Sequence, residues 1–178
     1  MILTLLTTNT ESGDASSEFT SSIDSTYDEY MFVYTNMNPA TDNTRFRVQA
    51  STNGGTDWGV VFTTTYFHST HTEADATTFG YQTAEDQAQN TSYQTLTKLQ
   101  GNGGDDCTDG IFHLFSPSNT TYVKHFYARS LGTGTTSANT ALDCFAAGYW
   151  NTTTAINGIR FEMNTGNMDG VIQMFGVA

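Results

Sequence analysis

The sequence predicts an all-β protein: an antiparallel double-sheet sandwich, jelly-roll-like, with about nine or ten strands. Short segments in which apolar and polar residues alternate predict the strands, and clusters of glycine and asparagine between them predict the turns. Helical periodicity is almost absent. A chain of 178 residues has the length of one such domain and is too short for two independent cores.

Six segments carry the alternation most clearly, and each is rich in β-branched or aromatic residues, as strands are. In the fifth segment, Ile159 and Phe161 alternate with Arg160, which predicts one buried side and one side that faces water or a partner. The six segments are residues 30–34, 45–49, 111–115, 122–126, 159–163 and 171–175.

The remaining chain is read from its turn residues and its polarity. Pro39 and Pro117 each follow an apolar run, which predicts that they mark strand ends. Residues 64–90 are polar and show neither period, so we expect a long excursion there, with one helical turn at residues 84–89.

Charge and hydropathy exclude two classes of partner. Eighteen acidic and six basic residues give a net charge of −12, which argues against a nucleic-acid ligand. No segment approaches the run of about 18 apolar residues that spans a membrane. The first residues also lack the basic start and long apolar run of a secretory leader. We therefore expect neither nucleic acid nor membrane as a partner.

Two clusters have the residue types of a metal site. The first has two histidines spaced i, i+3 in a threonine-rich stretch without helical character, which favours a polar loop over a zinc site. The second follows a glycine turn but lacks the full ligand pattern of a calcium loop, which favours a solvated turn. The first is His68, His71, Glu73 and Asp75, and the second is Asp105, Asp106 and Asp109.

No residue is assigned to catalysis. Cys107 or Cys144 beside His113 or His125 would supply a nucleophile and a base, but no local catalytic signature accompanies them. Reduced, partly buried thiols are favoured, and one disulfide between the two cysteines stays open. Pairs of carboxylates suited to glycoside hydrolysis are recognised by their separation, which a sequence does not contain. We expect no enzyme, no cofactor and no bound metal.

Aromatic residues offer one binding hypothesis. Trp58 and Trp150 stand beside asparagine, aspartate and threonine, and exposed rings of this kind stack on sugars while the polar groups bind hydroxyls. The same rings would serve equally well in a sandwich core, which is the favoured interpretation. A glycan therefore stays an alternative ligand.

Several segments together resemble a known family from about Phe19 to the end of the chain. The segments are SSIDSTYDEY at 21–30, NPATDN at 38–43, DQAQ at 86–89, HLFSPSNTTYVKH at 113–125, GYWNTT at 148–153 and FEMNTGNMDGVIQMFG at 161–176. The chain resembles small virion structural proteins of tailed bacteriophages, notably marine and cyanobacterial ones. The resemblance implies a β-sandwich subunit of the particle, with no catalytic residue to transfer.

The resemblance sets the functional expectation. We expect a non-enzymatic virion protein, made in the cytoplasm of the bacterial host, and first of all a capsid decoration or cement subunit. Its partners would be copies of itself, with a trimer favoured, and other virion proteins such as the major capsid protein. Residues 1–18 would form an N-terminal strand or arm for subunit contacts, with the sandwich in 19–178. The alternatives are a tail-fibre or baseplate module that recognises host glycans, and a glycan-degrading enzyme.

Overall fold

The computed structural model describes residues 2–134 and 140–178 of the chain. These residues form twelve strands in two packed antiparallel sheets and contain no helix, so the predicted fold class is confirmed with more strands than expected. The strands are β1 (Leu3–Asp14), β2 (Ser16–Phe19), β3 (Glu29–Pro39), β4 (Phe46–Ser51), β5 (Phe62–Thr72), β6 (Thr77–Tyr81), β7 (Gln94–Thr95), β8 (Thr108–Phe115), β9 (Lys124–Gly134), β10 (Thr140–Trp150), β11 (Gly158–Met163) and β12 (Met168–Val177).

The two sheets differ in size. The large sheet has eight strands in the order β1-β12-β3-β8-β9-β10-β5-β6, and the small sheet has four in the order β2-β11-β4-β7. All neighbouring strands pair antiparallel. The large sheet therefore presents one side to the small sheet and turns its other side, which we call the outer face, away from it.

Aromatic rings fill the space between the sheets. Phe161 of β11 lies near the centre, with its ring stacked on Phe46 at 5.6 Å between centroids and edge-on to Phe112 at 5.8 Å. Phe32 lies 5.5 Å from the same ring. Burial of such rings removes much apolar surface from water, at about 25 cal/mol per Å², and edge-to-face pairs add to this.

The expectation of a long excursion at residues 64–90 is wrong for the first half of that range. Residues 62–72 and 77–81 form the hairpin of β5 and β6. Threonine dominates β5, yet threonine is β-branched and suits a strand, and Tyr66 faces inward between the polar residues. The helical turn is expected at 84–89, whereas the observed turn spans residues 82–86. It is closed by bonds from the backbone N–H groups of Glu85 and Asp86 to the Gln82 carbonyl.

The N-terminal segment lies within the sandwich. β1 pairs with β12 of the same chain at the edge of the large sheet, and β2 pairs with β11 at the edge of the small sheet. Met1, the first residue of the expected arm, lies outside the described residues. Contact of this segment with neighbouring subunits stays a prediction.

Candidate functional site

The histidine cluster is divided by the strand that carries it. His68 and His71 both lie on β5, and a separation of three residues places them on opposite faces of the sheet. His68 is buried and 5% exposed, whereas His71 faces outward and approaches Asp75 at 3.2 Å. Among the residues that the structure describes, no three metal-binding side chains come together.

His68 and Cys144 form a buried pair of facing residues on β5 and β10. Burial, with a smaller contribution from Lys98, lowers the pKa of His68. Its Nδ1 atom has no hydrogen-bond partner in the described parts of the chain. The Cys144 sulfur accepts a bond of 3.3 Å from the Lys98 backbone N–H, and burial raises the pKa of this thiol. A protonated, enclosed thiol is a weak nucleophile.

The remaining cysteine and histidine side chains also make contacts within the fold. Both cysteines are free. Burial and the neighbouring Asp109 carboxylate raise the pKa of Cys107. His113 contacts the Glu29 carboxylate at 2.5 Å, and His125 lies 6.1 Å from Tyr149 between ring centroids. These histidines therefore interact with side chains of the outer face.

The acidic turn binds backbone groups of its own loops. Asp106 accepts a bond of 3.2 Å from the Gly103 N–H, and Asp109 accepts one of 2.8 Å from the Asn36 N–H. Asn38 donates to the Gly103 carbonyl at 2.8 Å. One carboxylate oxygen of Asp106 and one of Asp109 therefore bind backbone N–H groups, of the same turn and of β3 respectively.

The two tryptophans have different surroundings. Trp150, one of the two rings considered for a sugar platform, is wholly buried and donates from Nε1 to Gln49 Oε1 at 3.1 Å, so that part of the hypothesis is wrong. Trp58 lines a surface groove of about 390 Å³ with Asn53, Asp57 and Asn151. The Arg160 guanidinium lies 4.6 Å from the centroid of its ring, a cation–π contact that occupies one side of it.

The outer face of the large sheet is the most distinctive surface of the molecule. Strand alternation builds it: on β9, Phe126 and Ala128 point into the core, whereas Tyr127, Arg129 and Leu131 point outward. An antiparallel sheet with one buried side usually has a polar outer side. Here several outward positions are apolar or aromatic instead.

Exposure defines the extent of this surface. Nine large apolar side chains are exposed among the described residues, and the strand registers place seven of them on the outer face. Phe79 is 76% exposed, Leu131 49% and Tyr127 45%. The seven are Leu3, Leu5, Phe79, Tyr81, Ile111, Tyr127 and Leu131.

Ring contacts fix the aromatic side chains of the outer face in place. Phe67 stacks on Phe145 of the neighbouring strand at 4.7 Å between centroids and meets Phe79 edge-on at 6.0 Å. Further along the sheet, His113 stacks on Tyr127 at 4.5 Å. Side chains that are already ordered lose little conformational entropy when a partner covers them.

Charges on this face are few and paired. Arg129 donates to both carboxylate oxygens of Asp143, at 2.9 and 2.8 Å, and its guanidinium lies 5.0 Å from the centroid of the Phe145 ring. On the outward positions of β5, β6, β8, β9 and β10, Asp109 and Asp143 against Arg129 sum to −1 of the chain's −12. This part of the outer face is therefore nearly neutral on a strongly acidic protein, and Glu29 of β3 adds one carboxylate beside His113.

The amino-acid sequence contains one signal for the outer face, although the alternation of single strands does not reveal the surface as a whole. In residues 111–115, Phe112 and Leu114 form one apolar set and Ile111 and Phe115 form a second set of opposite parity. A strand that is apolar on both sides predicts cover on both sides. The small sheet supplies only one of these covers.

Comparison with known proteins adds no further identification. The described residues include no helix of the length and apolar character needed to cross a bilayer. The chain matches no protein-family model, no curated protein and no solved structure.

Proposed function

We propose that the protein is a non-enzymatic structural subunit of a tailed-phage virion, and specifically a capsid decoration or cement subunit. The observation that supports this is the outer face, an apolar surface spread over the large sheet with its aromatic rings already ordered. Contiguous apolar surface on a folded domain marks a site of protein–protein contact. Its partners are copies of the same chain and other virion proteins such as the major capsid protein.

The free sheet edges supply a second kind of contact. β1 and β6 lie at the two ends of the large sheet, and each has one side without a neighbouring strand in the described chain. Such edges pair with strands of other chains. A three-fold ring needs two different surfaces on each subunit, and two unlike edges provide them. The trimer favoured from the sequence would use these edges once the subunits are assembled side by side on the capsid.

The distribution of charge agrees with a position outside the packaged genome. A net charge of −12 repels nucleic acid and keeps the exposed surfaces of many copies from sticking together. The part of the outer face around Arg129 is a surface on which close contact costs little electrostatic energy. A decoration subunit, made in the host cytoplasm and added to the particle, needs both properties.

Quantitative mass spectrometry of purified virions tests the proposal. We expect a copy number of the same order as that of the major capsid protein. Absence of the protein from the particles would overturn the proposal. Removal of residues 2–10, which form most of β1, is expected to weaken attachment to the capsid. Unchanged attachment would show that the N-terminal segment is not the arm.

A tail-fibre or baseplate module that recognises host glycans is the second candidate. The groove beside Trp58 favours it, because Asn53, Asp57 and Asn151 place amide and carboxylate groups next to an indole ring. A glycan array with wild-type protein and Trp58→Ala discriminates between the two. Binding that is lost in the variant, together with only a few copies per virion, would favour the tail over the capsid.

A further inference from the structure

We infer that two copies of this chain pack face to face through their outer faces, about a two-fold axis that sets Arg129 of each copy against Asp143 of the other. This inference rests on the proposed function and deepens it by naming the partner of the outer face. The proposed contact turns two double-sheet sandwiches into one stack of four sheets.

Apolar complementarity is the first argument. Packed sheets in proteins lie about 10 Å apart and interdigitate the apolar residues of their facing sides. The outer face has the composition of such a side, with Tyr127 and Leu131 on β9 flanked by Ile111 on β8. A second copy presents the same rings and aliphatic groups, so the two faces are alike in character and in extent.

Charge is the second argument, and it favours a second copy over a strongly charged partner. The positions around Arg129 carry almost none of the chain's net charge of −12. The region around Arg129 therefore brings little net charge to a contact between two outer faces. A highly basic partner would find more complementary surface elsewhere on the molecule.

Symmetry is the third argument. Arg129 lies on β9 and Asp143 on the adjacent β10, so opposite charges stand side by side on neighbouring strands. A two-fold axis that passes between them places each charge of one copy opposite the unlike charge of the other copy. An isologous interface requires this kind of self-complementary pattern.

Charge reversal tests the inference directly. Size-exclusion chromatography with light scattering and native mass spectrometry, from about 10 μM to 1 mM, measure the mass of the wild type, which is expected to approach that of a dimer. Arg129→Asp puts two acids side by side on the face, and Asp143→Arg puts two bases there. Each variant alone is expected to be monomeric, and an equimolar mixture is expected to form a mixed dimer.

Two further variants complete the experiment, one as a charge control on the small sheet and one as a test of the apolar contact. Arg160→Asp makes the same charge change on β11 of the small sheet and is expected to leave the dimer intact. Phe79→Glu places a charge at an exposed apolar position on β6, which β5 separates from the ion pair on β9 and β10, and is expected to give monomers. Circular dichroism in the near ultraviolet establishes that each variant is folded.

The outcomes separate this inference from the proposed function. A monomeric wild type at about 1 mM, dimeric single variants, or a mixture that stays monomeric would each overturn the face-to-face pair. Protein that is found on virions but is monomeric in solution would leave the proposed function standing without the pair. A dimer that is absent from virions would leave the pair standing without the proposed function.

Discussion

Several buried polar side chains in this sandwich bind the backbone or one another. Lys124 is wholly buried and donates from Nζ to the Tyr122 carbonyl at 2.7 Å and to the Thr152 carbonyl at 3.3 Å. Tyr34 and Ser130 share a bond of 2.5 Å, and burial raises the pKa of the Tyr34 hydroxyl. Such bonds offset the cost of removing polar groups from water, so these residues stabilise the fold.

His68 is the buried residue for which pH dependence is expected. Burial lowers its pKa in the folded chain, whereas the unfolded imidazole binds a proton near pH 6.5. The unfolded state therefore gains protons first, and stability present above about pH 6.5 is lost as the pH falls below it. Thermal unfolding of wild type and His68→Gln between about pH 5.5 and 7.5 is expected to show a smaller slope in the variant.

The outward-facing His71 supplies the control for the titration. His71→Gln removes a histidine from the same strand without changing the core. An equal loss of slope in His71→Gln would contradict the assignment of the pH dependence to His68.

The two tryptophans are expected to differ in their contribution to stability. Trp150→Ala empties a site packed against Phe126 at 4.5 Å between centroids and removes the hydrogen bond to Gln49, so we expect a loss of about 3–5 kcal/mol in the free energy of unfolding. Trp58→Ala removes a surface cation–π contact, for which about 1 kcal/mol is expected. Urea unfolding measures both, and equal losses would contradict the placement of Trp150 in the core.

At the scale of the strands, the close approach of neighbouring backbones requires a glycine at one position of β10. Gly148 lies in β10 between β5 and β9, and a methyl group there would collide with the Thr63 carbonyl. Gly148→Ala is therefore expected to lower the free energy of unfolding by about 1–3 kcal/mol. Gly104→Ala is the matched control, because open space surrounds that position. Denaturation curves in which the two variants coincide would contradict this packing.

Alternation predicted the strands whose residues have strong β preference. β11 is the clearest case, because Ile159 and Phe161 are buried and Arg160 faces outward, as expected. β10 escaped prediction, because its segment from Ala146 to Gly148 has small residues whose polarity does not alternate. Small residues there admit the neighbouring backbones, which is a consequence of tertiary packing and leaves no period in the sequence.

At the scale of the whole molecule, net charge is expected to control self-association. Two copies of charge −12 repel each other at low ionic strength, and salt shortens the range of that repulsion to about 10 Å at 0.1 M. The exposed ion pair contributes little by comparison. Sedimentation velocity is expected to show more dimer as NaCl rises from about 0.01 to 0.15 M. Dissociation by salt would mean that ionic contacts hold the copies together.

The sequence predicted the two-sheet architecture more fully than the candidate interaction surface. Period-two alternation and glycine turns are local, so they are visible without coordinates. The outer face joins Phe79 of β6 and Phe67 of β5 to Phe145 of β10, which is distant from both along the chain. Only the strand order brings them together, and strand order depends on pairings that no single segment encodes.

The alternation of β9 separates two kinds of selection. Phe126 and Ala128 serve the interior, and Tyr127 and Leu131, between and beyond them, meet whatever lies outside. Substitutions at the inward positions of the strand alter the stability of the fold, and substitutions at the outward positions alter which partner the surface binds. A lineage of such proteins can therefore change its neighbours by drift at every second codon of a strand while its architecture is inherited intact.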